Sequence, residues 1–192
     1  MINIKEQLNS FVKNLKLIFF AVLIGCSAGS SSVYNSNILL SSVRVKSVHN
    51  IFSLELPNNW SVTNPDNEAG FELWLNNSDN SKTITITPIN FTEEKKIDTE
   101  ILYDFVKEFK LSGSNPKPKI LNEEKFSFGK TNIFAFTYQL NESDIRRTLV
   151  FNIGLKQYEC TAMSAGKTRA YSETNDNFFS LQNSVIKSIN IL

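Results

Sequence analysis

Residues that usually carry catalysis or hold metal ions are scarce in this chain of 192 residues. There is one histidine, His49, and there are two cysteines, Cys26 and Cys160. So few imidazole and thiol groups exclude the usual zinc-binding sets. A cysteine nucleophile also needs a base and an orienting group beside it, and His49 is the only histidine. We therefore predict no metal site and no catalytic residue, and we expect Cys160 to be a buried, inert core thiol.

Sequence motifs for nucleotide binding are also missing, since the chain has no P-loop and no G-x-G-x-x-G. The G-x-S-x-G pattern of hydrolases occurs only at 25–29 (GCSAG), in the stretch that precedes the predicted domain, so we expect neither an enzyme nor a bound cofactor. The short stretch 166–168 (GKT) lacks the earlier glycine of a P-loop and is interpreted as a turn. Arg146 and Arg147 are neighbours on a predicted strand and face opposite ways, so they cannot line one anion pocket. Both are predicted to be surface charges.

An excess of positive charge is lacking too. The chain has 20 Lys and Arg against 19 Asp and Glu. Residues 1–25 hold three of the lysines and one glutamate, which leaves 17 basic and 18 acidic residues in 26–192. Without a stripe of Lys and Arg, nucleic acid is not expected as a partner.

The apolar run near the start of the chain is too short to span a bilayer. It covers the eight residues 17–24 (LIFFAVLI), against the roughly 20 that a membrane-spanning helix needs. Lys5, Lys13 and Lys16 precede it and supply a positive flank. This arrangement is typical of a signal peptide, so we predict that residues 1–25 are removed.

The sequence Leu23-Ile24-Gly25-Cys26 resembles the lipobox of bacterial lipoproteins. The resemblance implies cleavage before Cys26, diacylglycerol on its thiol and often a further acyl chain on its amino group. Two or three chains anchor a protein stably, since each buried CH2 contributes about 0.8 kcal/mol. Ser27 in place of an aspartate favours the outer membrane, facing the periplasm, if the host has two membranes. The alternative is an uncleaved signal anchor with an incidental cysteine.

Residues 26–48 are predicted to be the lipidated cysteine and a flexible tether, because 27–42 are rich in serine and asparagine. Within it, residues 38–40 (ILL) contact either the domain or the lipid surface. Residues 43–48 form either an edge strand or the end of the tether. The remaining residues, 49–192, are predicted to be one domain.

Alternating apolar residues predict most of the strands. Four strands are predicted before a helix, in the ranges 52–56, 60–62, 71–75 and 83–87. Four more are predicted after it, in the ranges 119–128, 132–140, 146–153 and 157–164. The short connections within the second group predict hairpins. An α+β fold follows, in which an antiparallel sheet has helices packed on it.

Two helices complete the predicted domain. The first begins after Asp98 as N-cap and ends at Gly113. Its apolar residues at helical spacing are Ile101, Leu102, Phe105, Val106 and Phe109, and its acidic residues Asp98, Glu100, Asp104 and Glu108 are expected on the solvated side. The second helix is predicted over about 176–188.

The start of the domain, Phe52-x-Leu54-x-Leu56-Pro57-x-x-Trp60, resembles the opening of the PsbP/DcrB-like superfamily. The strands at 149–162 and the helix that ends at 185–189 match its closing hairpin and helix. The resemblance implies an α/β/α sandwich without a catalytic motif. Members include accessory proteins of the oxygen-evolving complex, bacterial envelope lipoproteins and a Ran-GTPase-binding protein, and most are non-enzymatic binding or assembly factors.

Two places are candidates for a binding surface. Trp74, beside Phe71, is placed to flank a groove, and the polar loop 164–177 offers Arg169 and Tyr171. We predict a membrane-anchored envelope lipoprotein that binds or helps to assemble an envelope protein without catalysing a reaction. The alternative is a small-molecule or lipid carrier with a pocket between sheet and helix.

Overall fold

The computed structural model describes residues 31–63, 70–90, 97–113, 115–164 and 173–192. Their order along the chain is β1 (Arg44–Lys46), β2 (Phe52–Glu55), β3 (Trp60–Val62), β4 (Leu73–Asn77), β5 (Lys82–Pro88), α1 (Thr99–Ser112), β6 (Lys119–Phe128), β7 (Thr131–Asn141), β8 (Asp144–Ile153), β9 (Lys156–Ser164), α2 (Glu173–Lys187) and β10 (Asn190–Ile191). Within these ranges no helix is both long and apolar enough to cross a membrane.

A seven-stranded antiparallel sheet forms the centre of the fold, in the order β3-β4-β5-β9-β8-β7-β6. A small antiparallel sheet, β1-β2-β10, lies beside it. Tight hairpin turns connect consecutive antiparallel strands of the central sheet. Asn141 accepts hydrogen bonds from the backbone of Ser143 and Asp144 in the β7–β8 turn, and Gly154 takes a φ of 62° in the β8–β9 turn. The predicted α+β class is confirmed.

The alternation along β7 gives the sheet two apolar faces. Ile133 and Ala135 belong to one core, whereas Phe134, Phe136 and Tyr138 belong to the other. Helix α2 and strand β2 cover the first face, and α1 covers the second. The result is the predicted sandwich of helix, sheet and helix.

Helix α1 starts as predicted, but it buries a different face. The Asp98 side chain caps it by accepting a hydrogen bond from the Glu100 backbone at 2.7 Å. Leu102 and Val106 are buried, as expected, together with Tyr103.

The other three predicted core residues of α1 are exposed. Ile101 is 65% exposed, Phe105 56% and Phe109 68%. The cause is the aromatic sheet face below the helix, where the Tyr103 ring packs 5.6 Å from Phe134. That contact turns the helix so that the 101–105–109 edge faces outward.

The described part of the predicted tether, residues 31–48, is built into the domain. Tyr34 is 6% exposed in the main core, and strand β1 pairs with β2. The Ile38 backbone N–H donates to the Ser184 hydroxyl at 3.0 Å. This corrects the prediction of a flexible linker over residues 31–42, and of the two alternatives for 43–48 the edge strand is confirmed, because β1 lies at the edge of the small sheet. Serine and asparagine do not make this segment mobile, because its side chains and backbone hydrogen-bond to the domain.

Candidate functional site

The structure places one of the three predicted binding residues. Trp74 lies half-buried on β4, where its indole N–H donates to Asn76 Oδ1 at 3.1 Å and its ring lies 5.2 Å from that of Phe71. Arg169 and Tyr171 lie outside the described residues, as does Cys26. The predicted binding roles of Trp74, Arg169 and Tyr171 and the predicted lipidation of Cys26 therefore stay predictions.

Cys160 has the properties of an unreactive core thiol. It is fully buried on β9, and burial raises the pKa of its thiol to about 12, so the thiolate is scarce at neutral pH. His49 is engaged elsewhere, with its Nδ1 2.8 Å from Glu72 Oε1. Among the described residues, no group of three or more His, Cys, Asp or Glu side chains lies close enough together to hold a metal ion.

A small apolar cavity lies between the central sheet and α2. It measures about 150 Å³ and is lined mainly by Phe128, Ile133, Phe151, Ile186 and Ile189. Pockets for drug-sized ligands usually enclose about 300–1,000 Å³. This cavity therefore gives no support to the alternative prediction of a carrier.

A larger, polar cleft of about 550 Å³ lies beside the start of α1. Its lining includes one acidic and one basic side chain, Asp98 and Lys130, and several neutral polar groups such as Asn152. The amide nitrogen of Asn152 is already used, donating to Thr99 Oγ1 at 2.9 Å. These groups select no particular class of ligand.

The largest fully buried side chain in the described structure is a charged one, Arg147 on β8. Its Nη2 and Nε lie 2.7 Å and 3.1 Å from Glu124 Oε1. Its Nη1 donates to Gln182 at 3.0 Å and to Asn183 at 2.8 Å. The prediction that Arg147 is a surface charge is therefore wrong, whereas Arg146 is half-buried and pairs with Asp144.

The Arg147 guanidinium also holds the start of the described chain. It lies 4.7 Å from the centre of the Tyr34 ring. The Ser32 hydroxyl donates to Glu124 Oε2 at 2.6 Å, and Asn183 donates to the Tyr34 carbonyl at 2.9 Å. Burial lowers the pKa of Arg147, but the adjacent Glu124 carboxylate opposes that shift. We call these five residues the Arg147 cluster, together with Gln182. It joins residues 32–34 to the sheet and to α2.

The outer side of α1 carries a second notable arrangement. Ile101, Phe105 and Phe109 recur every four residues, and we call them the apolar stripe. The exposed carboxylates of Glu100, Asp104 and Glu108 recur at the same interval one position earlier, and we call them the acidic row. Residues four apart lie on one side of a helix, so the row runs alongside the stripe.

Ion pairs on the inner side of α1 fix the orientation of this surface. Lys107 lies 2.8 Å from Glu123 on β6, and the Tyr103 hydroxyl donates to the same carboxylate. Lys110 lies 2.7 Å from Glu159 on β9. The helix therefore presents its stripe from a firm attachment to the sheet.

The Glu123 contacts predict a modest pH dependence of stability. Hydrogen bonds from Lys107, and then from Tyr103, lower the pKa of Glu123 below its ordinary value of 4.5. A lowered folded-state pKa stabilises the protein above pH 4.5 and loses that effect as the pH falls through the folded value. Because the side chain is 44% exposed, we expect less than about 1 kcal/mol.

The measurement is urea unfolding of the wild type and Glu123→Gln between pH 7 and pH 3. The variant should lose less stability on acidification, and its deficit at pH 7 should shrink at pH 3. If the free energy of unfolding falls equally with pH in the two proteins, the Glu123 contacts do not contribute to the pH dependence of stability.

The sandwich and its strand order define an α+β protein with a PsbP-like fold. The structure is similar to the solution structure of cyanobacterial PsbP (CyanoP) from Synechocystis sp. PCC 6803, with a TM-score of 0.57 and 14% sequence identity. The match covers 86% of this chain and 99% of that chain. No protein-family model and no curated protein matches the sequence. At this identity the likeness shows the fold alone.

Proposed function

We propose that this chain is a lipid-anchored protein of the bacterial cell envelope that binds another envelope protein in an accessory or assembly role, without catalysing a reaction. The lipobox-like sequence that ends at Cys26 supports the anchor. The PsbP-like fold supports the accessory role, because most members of the superfamily that the sequence resembles are non-enzymatic binding or assembly factors. In a host with two membranes, we expect the outer membrane, facing the periplasm.

The main structural support for this proposal is the packing of residues 32–38 on the domain. Ser32 belongs to the Arg147 cluster, and only residues 27–31 separate it from Cys26. Six residue steps of about 3.3–3.6 Å span at most about 22 Å. An acylated Cys26 would hold the domain close to the bilayer, with little freedom to reach away. Such a protein is suited to act on a neighbour at the same membrane.

The test is metabolic labelling with an alkyne palmitate, followed by membrane fractionation and affinity purification of the tagged full-length chain. The wild type should be labelled and membrane-bound, and it should retain a stoichiometric protein partner. Cys26→Ser should lose the label, whereas the neighbouring control Ser27→Ala should keep it. Labelling of Cys26→Ser would exclude lipidation of that cysteine. A labelled wild type that is purified without any protein partner would favour the carrier alternative.

A further inference from the structure

The apolar stripe on α1 is an unusual surface for a helix that packs on a sheet. An amphipathic helix normally turns its large apolar residues inward. Here Leu102, Tyr103 and Val106 do so, while Ile101 and Phe109 are about two-thirds exposed at either end of the stripe. A contiguous patch of exposed apolar residues with a polar border often marks an interaction site, whereas single exposed apolar residues usually do not.

The acidic row gives this surface a charge preference. Asp104 contacts Lys107 at 3.6 Å and Glu100 contacts Lys125 at 3.5 Å, both longer than the 2.8 Å pair between Lys107 and Glu123. The carboxylates of the row are exposed. They therefore remain accessible to the cations of a partner.

The same row argues against two other occupants. An anionic lipid surface would be repelled by three carboxylates beside the apolar residues. A second copy paired antiparallel through a two-fold axis would place both acidic rows on the same side of the contact. Glu100, Asp104 and Glu108 of one copy would then face the same three residues of the other.

We propose that the apolar stripe and the acidic row together form a docking site for an amphipathic helix of a partner protein, whose apolar face is bordered by Lys or Arg. The residues of the stripe form an i, i+4 ridge, which fits the groove between the side-chain rows of another helix. The proposal rests on the proposed function, because this partner is the envelope protein that the domain binds. It adds where that protein binds and which chemistry it presents.

Two synthetic helices of equal length serve as probes. Both carry the same leucine face, which is bordered by lysine in one and by glutamate in the other. Fluorescence anisotropy measures their binding to the full-length chain in phosphatidylcholine nanodiscs. We expect the lysine-bordered helix to bind at least tenfold more tightly, and this preference to shrink at 0.5 M salt. Equal binding of both helices would overturn the proposal.

Matched variants locate the site. Ile101→Ser with Phe109→Ser should weaken binding of the lysine-bordered helix at least tenfold. Leu155→Ser removes a residue that is 81% exposed in the β8–β9 turn and should leave binding unchanged. Replacing Glu100, Asp104 and Glu108 by their amides should abolish the preference between the two helices. All variants change exposed side chains, so their urea midpoints should match that of the wild type.

The remaining outcomes separate this inference from its alternatives and from the proposed function. Binding to phosphatidylglycerol vesicles that is lost with Ile101→Ser and Phe109→Ser would overturn it in favour of a lipid surface. Dimerisation in sedimentation that is lost with the same pair would overturn it in favour of a second copy. The discrimination between helices does not depend on acylation, so it can succeed even if Cys26 proves unmodified.

Discussion

Arg147→Ala is expected to lower the free energy of unfolding by about 3–5 kcal/mol, the cost of removing one member of a buried ion pair. The substitution leaves the Glu124 carboxylate almost fully buried without its cation. It also removes the donor that serves the side-chain oxygens of Gln182 and Asn183. Since whole domains are stable by only about 5–15 kcal/mol, the loss should be plain in the urea midpoint of unfolding.

Arg146→Ala is the matched control, one residue away on the same strand. Its side chain is 33% exposed, and its guanidinium pairs at 2.8 Å with Asp144, two residues earlier in the chain. A pair of this kind contributes about 0–1 kcal/mol. If both variants unfold at the same urea concentration, the Arg147 cluster does not stabilise the domain.

A second variant keeps the test informative if Arg147→Ala does not fold. Arg147→Met combined with Glu124→Leu removes both charges, and apolar replacements of a buried pair are often neutral. Here Gln182, Asn183 and Ser32 would still lose polar partners, so we expect a partial recovery relative to Arg147→Ala. A double variant that is less stable than the single one would show that the uncompensated charge is not the main cost.

The strands were predictable because their signal is local. β-Branched and apolar residues alternate with polar ones between clear turns, and an error of one residue would turn a whole strand inside out. The seven strands of the central sheet accordingly begin and end within two residues of the predicted ranges, and β4 has the largest shift, to 73–77 from the predicted 71–75. The start of α1 was similarly accessible, since Asp98 provides its capping bond within two residues. Helix α2 begins at Glu173, about three residues before its predicted start.

The same alternation along β8 indicates that Arg147 is buried, although we predicted a surface charge. Ile145, Leu149 and Phe151 occupy alternate positions on β8 and lie in the main core, and Arg147 stands in that series. The position therefore predicts an inward side chain, and only the residue type argues against it. Its partner Glu124 lies 23 residues earlier, and no local pattern connects the two.

The face of α1 was not accessible from the sequence. Ile101, Leu102, Phe105, Val106 and Phe109 form an apolar arc that is wider than the contact with the sheet. Which part of the arc is buried depends on the aromatic residues of β7, over which Tyr103 packs. The candidate docking site was missed for this reason, because apolar spacing shows that a helix is amphipathic and does not show which of its apolar residues are buried against the sheet.

Residues 31–42 were predicted to be a flexible tether because their composition is that of a linker. Serine and asparagine are common in flexible segments, but they also supply hydroxyl and amide groups for capping and anchoring. Ser32 and Asn37 do this here, the first toward Glu124 and the second toward Lys187. The single aromatic residue among them, Tyr34, was the available sign of a buried attachment.

Tyr34→Ala should therefore lower the free energy of unfolding by about 3–5 kcal/mol, as expected when a buried aromatic ring is removed. The Tyr34 ring packs edge-on against Phe179 of α2 at 5.3 Å, and the Arg147 guanidinium lies over it. The substitution empties that space and exposes one side of the Arg147 cluster. Urea unfolding measures the loss.

Val33→Ala is the control, since the neighbouring Val33 side chain is 70% exposed and its truncation should change stability by no more than about 0.5 kcal/mol. Hydrogen exchange adds a second observable, because backbone amides bonded to the domain exchange slowly until their segment opens. The amide of Ile38, which donates to Ser184, should exchange faster in Tyr34→Ala than in Val33→Ala. Equal urea midpoints and equal exchange in the two variants would mean that the segment contributes no stability, and the prediction of a flexible tether would then be right after all.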